Sequence, residues 1–487
     1  MQLRQLSLAL AVALTAGQAA AVTPTQIATA RSTGTLHEFY ITGASAPSRS
    51  VYLAFRTLCN AGSIHTYTSD SAGTNYGSAG NFLGAACTSN GTLANAPAGQ
   101  TLAMYHTIDG GSFSAVEPHY AGLSALKKRL KALDSASCVA HAGDTVTGDA
   151  GYNKCTTVTG NPAAPVDAAP QTPDGGFLDV EPALWSDLFP AGTNSDTYGT
   201  TASAGIGQLF GIAVSTDLYR AMQASQGITS AACTDGVGND DWRNPACMPN
   251  ISKAQYTSVA SQTGGYHSDW QFLAGAAGAG QEVKLCRRVV TSGTQASSNA
   301  FFMDSPCNRA AATGGELFPA SAADSGSPFI VVENSGTSDV KKCIDAANTS
   351  ATQMAIGVVS LENDPLAETQ TDRNDYRFVK LDGVSPENWG GLTGDDGLAR
   401  QNALDGSYGF AMELTYFVAG SGSVLGAASD LGAEALGALS TSFGNPDVTN
   451  LRGIYITPLV GDPISYPTQV SKGSRFGNNC SPMQLFF

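Results

Sequence analysis

Positive charge is scarce in this chain. Its 25 lysines and arginines face 40 acids, for a formal charge of −15. That balance argues against nucleic acid as a partner and offers nothing to an anionic membrane surface. Histidine is scarcer still. The six present show no ligand spacing, and no C-x-x-C occurs. Neither a metal nor another cofactor is expected. Past the first residues no apolar run reaches spanning length, so no membrane span is expected. No repeat of about 20–50 residues is evident, which argues against a stacked-repeat architecture.

Glycine is abundant, 55 of 487 residues, and there are ten cysteines. The chain opens with Arg4, an apolar stretch from Leu6 to Leu14, and Ala19-Ala20-Ala21. These are the three parts of a secretory signal, residues 1–21, cleaved near Ala21. No cysteine follows the cleavage point, so no lipid anchor is expected. The mature chain is therefore placed in a periplasm or outside the cell. An oxidising compartment suits ten disulfide-bonded cysteines. Pairing neighbours in order gives Cys59–Cys87, Cys138–Cys155, Cys233–Cys247, Cys286–Cys307 and Cys343–Cys480. The polar loop 233–247 carries acids but lacks a full calcium-loop spacing, and reads as a disulfide-closed loop.

The fold class reads as α/β. Leu36 to Thr42 looks like a strand that ends in a small-residue turn, Gly43 to Ser48, and a helix follows from Val51 to Leu58. Thr101 to Ile108 is a second strand. It runs through Asp109-Gly110-Gly111-Ser112 into a helical stretch, Ala115 to Leu133. Val283 to Cys286 starts a third such unit. Further strands are expected at 208–215, 329–332, 354–360, 376–381 and 412–417, with helices at 217–225, 253–260 and 338–346. Stretches 60–100 and 134–175 read as polar insertions. Ser252 is the expected N-cap of the 253–260 helix.

The chemistry gathers at Arg287-Arg288-Val289-Val290-Thr291-Ser292-Gly293-Thr294, followed by a helical run to Phe302. A helix start presents unpaired N–H donors and partial positive charge. An arginine beside it adds a planar fork of donors suited to an oxyanion.

Several segments, in order, resemble the type 2 periplasmic solute-binding proteins, most closely the phosphate-binding proteins of bacterial phosphate ABC uptake systems. Thr42-Gly43-Ala44-Ser45-Ala46-Pro47 is similar to the family's T-G-A-G-A-T. Tyr105 to Ser112 is similar to its Tyr-bearing strand and Gly/Ser turn. Gly176 to Leu184 echoes its D-F-G-A-S-D-A-P-L, and Ile251 to Trp270 a middle segment. Arg287 to Thr294 is similar to R-R-x-D-G-S-G-T. Met354 to Glu362 and Leu381 to Pro386 agree with later pieces. The resemblance implies a two-lobed fold with the ligand cleft between lobes. Lobe one would be residues 36–205 and 408–487, and lobe two 206–407. It implies that Ser45, Ser48, Gly111, Ser112, Asp179, Arg288, Ser292, Gly293 and Thr294 hold a tetrahedral oxyanion, phosphate first. A monomer is expected, with an ABC permease as partner if the chain stays in the periplasm, and no catalysis.

The departures shape the alternatives. Pro47 has no N–H, so Ser48 must carry more of the first-loop contact. Asp179 or Glu181 could take the third-loop aspartate's place. Val290 stands where the family has an aspartate, which removes one acceptor. An extracellular surface or structural protein with altered or lost ligand is the runner-up. A serine hydrolase built on Ser325 and His141 is a third, set against the α/β pattern.

Overall fold

A capped helix, α1 (Pro24–Thr33), leads into the first strand, β1 (Leu36–Gly43). Thr23 and Gln26 cap α1 reciprocally, a Pro opens it, and Gly34 closes it at φ 70°, where a missing Cβ removes the steric cost. The computed structural model describes residues 22–68, 82–108, 110–120, 138–140, 151–155, 172–234, 244–261, 267–308, 317–365, 376–387, 400–449 and 451–487. The expected leader, the stretch 121–133 and His141 lie outside them. Within the described residues, Ser112 to His119 forms short 3-10 turns where the sequence suggested the start of a long helix.

The turn after β1 enters α2 (Ser48–Arg56). Two strands then lie inside the stretch expected to be a loop: β2 (His65–Thr68) and β3 (Phe82–Thr88). β3 pairs antiparallel with β4 (Thr101–Thr107), and Leu83, Ala85 and Cys87 bury one face of it. The polar composition hid this alternation. The second expected insertion likewise contains β5 (Cys138–Ala140) and β6 (Gly151–Cys155), antiparallel, with Cys138 opposite Cys155. β7 (Gly175–Leu178) follows. β1 lies between β4 and β7 and runs parallel to both. The loops after all three strands therefore leave from one edge of the sheet, which is where open α/β sheets bind ligands.

β8 (Gly199–Ser215) is 17 residues long and is the crossing point. α3 (Thr216–Ser225), β9 (Asn250–Ile251) and α4 (Lys253–Ala260) follow. Ser252 caps α4, as expected, in a reciprocal pair with Gln255. The second half centres on β10 (Glu282–Arg288). It lies between β11 (Phe329–Asn334) and β12 (Gln353–Ser360), parallel to both. α5 (Gly293–Met303) follows β10, and α6 (Thr337–Asp345) follows β11. The expected strand 376–381 is divided into β13 (Tyr376–Phe378) and β14 (Lys380–Leu381). The first pairs with β8 and the second with β9, so each answers to a different neighbour.

The chain then returns. β15 (Ala411–Ala419) pairs antiparallel with β7 on one side and with Gly199–Leu209 of β8 on the other. Phe210 to Val214, the other end of β8, pairs with β12. One strand thus belongs to both halves of a 14-stranded mixed sheet. α7 (Asp430–Ser442), unforeseen in the sequence, covers β1 with buried Leu431, Ala435, Leu436 and Leu439. β16 (Ile454–Ile456), β17 (Gly473–Ser474) and β18 (Gln484–Leu485) complete the chain. The α/β class expected from the strand–turn–helix units is present.

Two of the expected disulfides are as read, Cys59–Cys87 and Cys233–Cys247. The last two are not. Cys286 pairs with Cys343, and Cys307 with Cys480. Cys286 sits on β10 and Cys343 on α6, which packs back over β10 and β12. Pairing by sequence order assumes closed local loops. A helix folded back on its sheet brings a more distant cysteine nearer.

Candidate functional site

Three loops meet at α5's N-terminus. Ser292 is its N-cap, in extended backbone, and makes no side-chain capping bond. The helix is buried on almost every side although its sequence is small and polar: Thr294, Ser297 and Ser298 are all buried. Such residues let neighbouring backbone approach closely. The carbonyl of Thr291 accepts the N–H of Phe113 at 3.1 Å. Trp185 Nε1 donates to the carbonyl of Val290 at 2.9 Å. These two bonds join loops of the first half to the turn after β10.

Ser112 and Asp179 face Gly293. The Ser112 hydroxyl donates to Asp179 Oδ2 at 2.6 Å. A Cβ on Gly293 would collide with both Asp179 Oδ2 and Ser112 Oγ. Only glycine permits this approach. Gly111, at φ 79°, is pressed similarly: a Cβ there would stand 2.9 Å from the Thr291 carbonyl oxygen and 3.0 Å from Ser292 Cα.

Arg288 ends β10 and is buried. Its Nη1 donates to Thr337 Oγ1 at 2.9 Å and its Nη2 to the Ser335 carbonyl at 2.9 Å. Asp339 accepts the Ser335 hydroxyl and the Gly336 N–H, which fixes that turn. Burial lowers the pKa of Arg288, and the charges of Asp179, Asp339 and Glu362 oppose the shift. The guanidinium stays charged.

Asp179 is also buried, and its Oδ1 has no hydrogen-bond partner. Burial pushes its pKa up to about 6, while the Ser112 hydrogen bond and the charge of Arg288 hold it down. Among the described residues no ion pair joins Asp179 to Arg288. A carboxylate and a guanidinium thus lie within electrostatic reach without touching. A third group, Glu362, stands at the carboxyl end of β12. It accepts from Ser360, Asn363 and Gln208 at 2.6, 3.0 and 3.0 Å. The residue as a whole is half-buried. Burial pushes its pKa up to about 7, and the charge of Asp179 adds to the rise.

The structure therefore brings Gly111, Ser112, Asp179, Ser292 and Gly293 together. Arg288 lies within electrostatic reach, and Thr294 is buried in the first turn of α5. Glu181, the other candidate for the third-loop acid, is turned away. Its carboxylate accepts the backbone N–H of Asn479 at 2.8 Å and the side-chain amide at 2.6 Å. The first loop is tied in less directly. Thr42 Oγ1 donates to the Ser114 carbonyl at 2.7 Å, next to the second loop. Ser45 is exposed, and the buried Ser48 donates its hydroxyl to the Ser45 carbonyl at 2.6 Å. Neither shows a contact to Asp179 or Arg288. Val290, read as a lost acceptor, is 52% exposed. Its side chain points to solvent while its carbonyl meets Trp185.

Sequence reasoning missed Ser335, Thr337 and Glu362. A signal for the first two was present: Ser335-Gly336-Thr337 repeats Ser292-Gly293-Thr294, and both follow a strand and open a helix. Ser325 sits in an exposed turn, its hydroxyl donating to the Ala322 carbonyl at 2.8 Å. A wide recess of about 600 Å³ lies elsewhere, at the start of α4, lined by Ser252, Lys253, Thr257, Leu317 and Asp382. None of the residues around Asp179 lines it. No group of metal-ligating side chains, and no helix long and apolar enough to cross a membrane, occurs among the described residues.

No protein-family model and no curated protein matches the chain. Solved structures show a distant likeness. One, assigned as a phosphate ABC transporter substrate-binding protein and solved with bound phosphate, is from Clostridium perfringens. It is 9% identical and covers 86% of this chain and 99% of that one, with a TM-score of 0.39. PstS from Borrelia burgdorferi is 10% identical over 86% of this chain and 98% of its own, at a TM-score of 0.30. Likeness at this level assigns neither ligand nor partner.

Proposed function

We propose that this chain is a periplasmic or extracellular solute-binding protein that holds a tetrahedral oxyanion, phosphate first, between two lobes. Lobe one is residues 36–205 with 408–487, and lobe two is residues 206–407. The N-terminus of α5 supplies backbone donors, Arg288 supplies charge, Ser292 and Thr294 supply hydroxyls, and Ser112 holds Asp179 in place. Such a site binds by directed dipoles and needs no net positive charge on the protein.

The observation that carries this reading is the unpartnered Oδ1 of buried Asp179, beside the start of α5. A buried acceptor without a donor costs free energy. Hydrogen phosphate, which keeps a proton at neutral pH, brings the missing donor. Sulfate has no proton and meets only repulsion. The same carboxylate therefore selects for a protonated oxyanion. The exposed position of Val290 supports the reading too, because an acid there would face water. That weakens one of the two reasons, with Pro47, to prefer a surface protein with a lost ligand. Ser325, whose hydroxyl is donated to the Ala322 carbonyl in an exposed turn, gives a hydrolase no support.

Isothermal titration of refolded, anion-stripped protein tests this. Phosphate is expected to bind, with sulfate at least about tenfold weaker, a margin of about 1.4 kcal/mol. Arg288→Ala is expected to abolish phosphate binding in folded protein. No heat with phosphate, sulfate or a phosphate monoester would refute the reading.

A further inference from the structure

The last segment of the chain does more than complete the sheet. Asn479 is buried and uses its whole side chain. Its amide nitrogens donate to both Glu181 oxygens, at 2.8 Å from the backbone and 2.6 Å from the side chain. The side-chain amide also donates to the Glu413 carbonyl at 2.9 Å, and its oxygen accepts the Glu413 N–H at 2.8 Å. The Glu413 carboxylate accepts the N–H groups of Arg475 and Gly477 at 2.5 and 2.8 Å. This knot grips β15 and the loop that carries Asp179.

The next residue reaches the other half. Cys480 is bonded to Cys307, just beyond the end of α5. Nearby, Lys472 N–H donates to the Leu404 carbonyl at 2.8 Å, and Arg475 Nη2 to the Gly409 carbonyl at 3.2 Å. Those carbonyls belong to the stretch that holds Tyr408 and Phe410 against Phe210 of β8. So two adjacent residues fasten the two walls of the site: Asn479 holds the 179–181 loop, and Cys480 holds α5.

We propose that residues 472–480 form a clasp that positions the Asp179 loop against α5 and limits how far the two halves part. The clasp rests on the oxyanion-binding reading for its purpose. It makes a covalent link between the halves beyond the backbone of the crossing strands. Ligand exchange through such a site is slow because the Cys307–Cys480 bond ties α5 to a segment that the Asn479–Glu181 knot holds on the first half, and parting the halves must loosen that hold. Asn479 and Cys480 act through Glu181 and α5, so they are positioning residues.

The test uses two variants of the mature protein, Cys307→Ala with Cys480→Ala, and Asn479→Ser. The second keeps the disulfide, and it decides the matter if the first does not fold. Stopped-flow exchange of phosphate is expected to run about tenfold faster, in both binding and release, in each variant, as an easier opening step requires. Small-angle scattering of the anion-free protein is expected to show a larger radius of gyration than the parent. A change confined to thermal stability, with exchange rates and radius those of the parent, would overturn the clasp. If the parent binds no phosphate, the binding reading fails separately, and the radius alone decides the clasp.

Discussion

Replacing Asp179 with Asn separates the cost of this carboxylate from its use. Burial moves its pKa from 3.8 to about 6, an opposition to ionisation of about 3 kcal/mol at 1.36 kcal/mol for each pH unit. The folded state binds the proton more tightly than the unfolded state. Asp179 therefore costs no ionisation energy below pH 3.8, costs progressively more as pH rises to about 6, and carries the full cost above. Asn cannot ionise, so that loss disappears. It can still accept from Ser112, but its own amide needs partners, which takes back about 1–2 kcal/mol. Anion-free Asp179→Asn is expected to be about 1–2 kcal/mol more stable than the parent at pH 7.5. Urea unfolding with disulfides intact, at steps from pH 3.5 to 7.5, reads this directly. Phosphate binding should fall in the same variant. A hydrogen bond to a charged group contributes about 1.5–3 kcal/mol, so affinity should drop roughly ten- to hundredfold. A variant that is no more stable at neutral pH, with the parent's slope from pH 4 to 6, refutes the ionisation argument. A variant that binds phosphate undiminished refutes the role of Oδ1.

Gly293→Ala places a methyl group where Asp179 Oδ2 and Ser112 Oγ already stand. The loops must separate, so phosphate affinity should fall at least about tenfold while the far-UV spectrum is unchanged; undiminished binding would show that the close approach is dispensable. Glu362 titrates at about 7 in the fold and 4.5 outside it, so it destabilises progressively across that window as pH rises. Glu362→Gln should flatten the stability profile between those values, a change visible in the same urea series. A slope identical to the parent's would show that Glu362 is not buried as a charge.

The α/β class was legible because strand, small-residue turn and helix recur with their own periodicities. The strands at 36–43 and 101–107 could be read from apolar stretches that are buried on both faces over most of their length, and the strand at 282–288 from its alternation, with Val283 and Leu285 buried between half-buried Glu282, Lys284 and Arg287. β2, β3, β5 and β6 could not, since they are rich in small and polar residues and lie within stretches of loop-like composition, and β2 is joined to β6 only by a pairing about 86 residues along the chain. α7 was missed for a similar reason. Its glycines and alanines give a weak apolar stripe, and it is a helix largely because β1 and α2 offer it a surface. At the site, Arg288 and Ser292-Gly293-Thr294 were recognisable as donors without any partner in view. The choice between Asp179 and Glu181 was not, because two residues along a loop separate a group that faces α5 from one that faces Asn479.

What the sequence determined by itself is local: a helix start rich in free N–H groups after an arginine, glycines where a backbone must come close, and cysteines that will pair. Those properties follow from side-chain size, φ preference and donor count within a few residues. The tertiary structure decided which of these groups meet. It set Asp179 beside Gly293, gave Arg288 to Ser335 and Thr337, turned Val290 outward and joined Cys307 to Cys480. Each of those outcomes depends on the register of parallel strands and on the crossing of β8 between two halves. Such long-range pairings are fixed by the packing of the whole sheet, and no short window of sequence contains them.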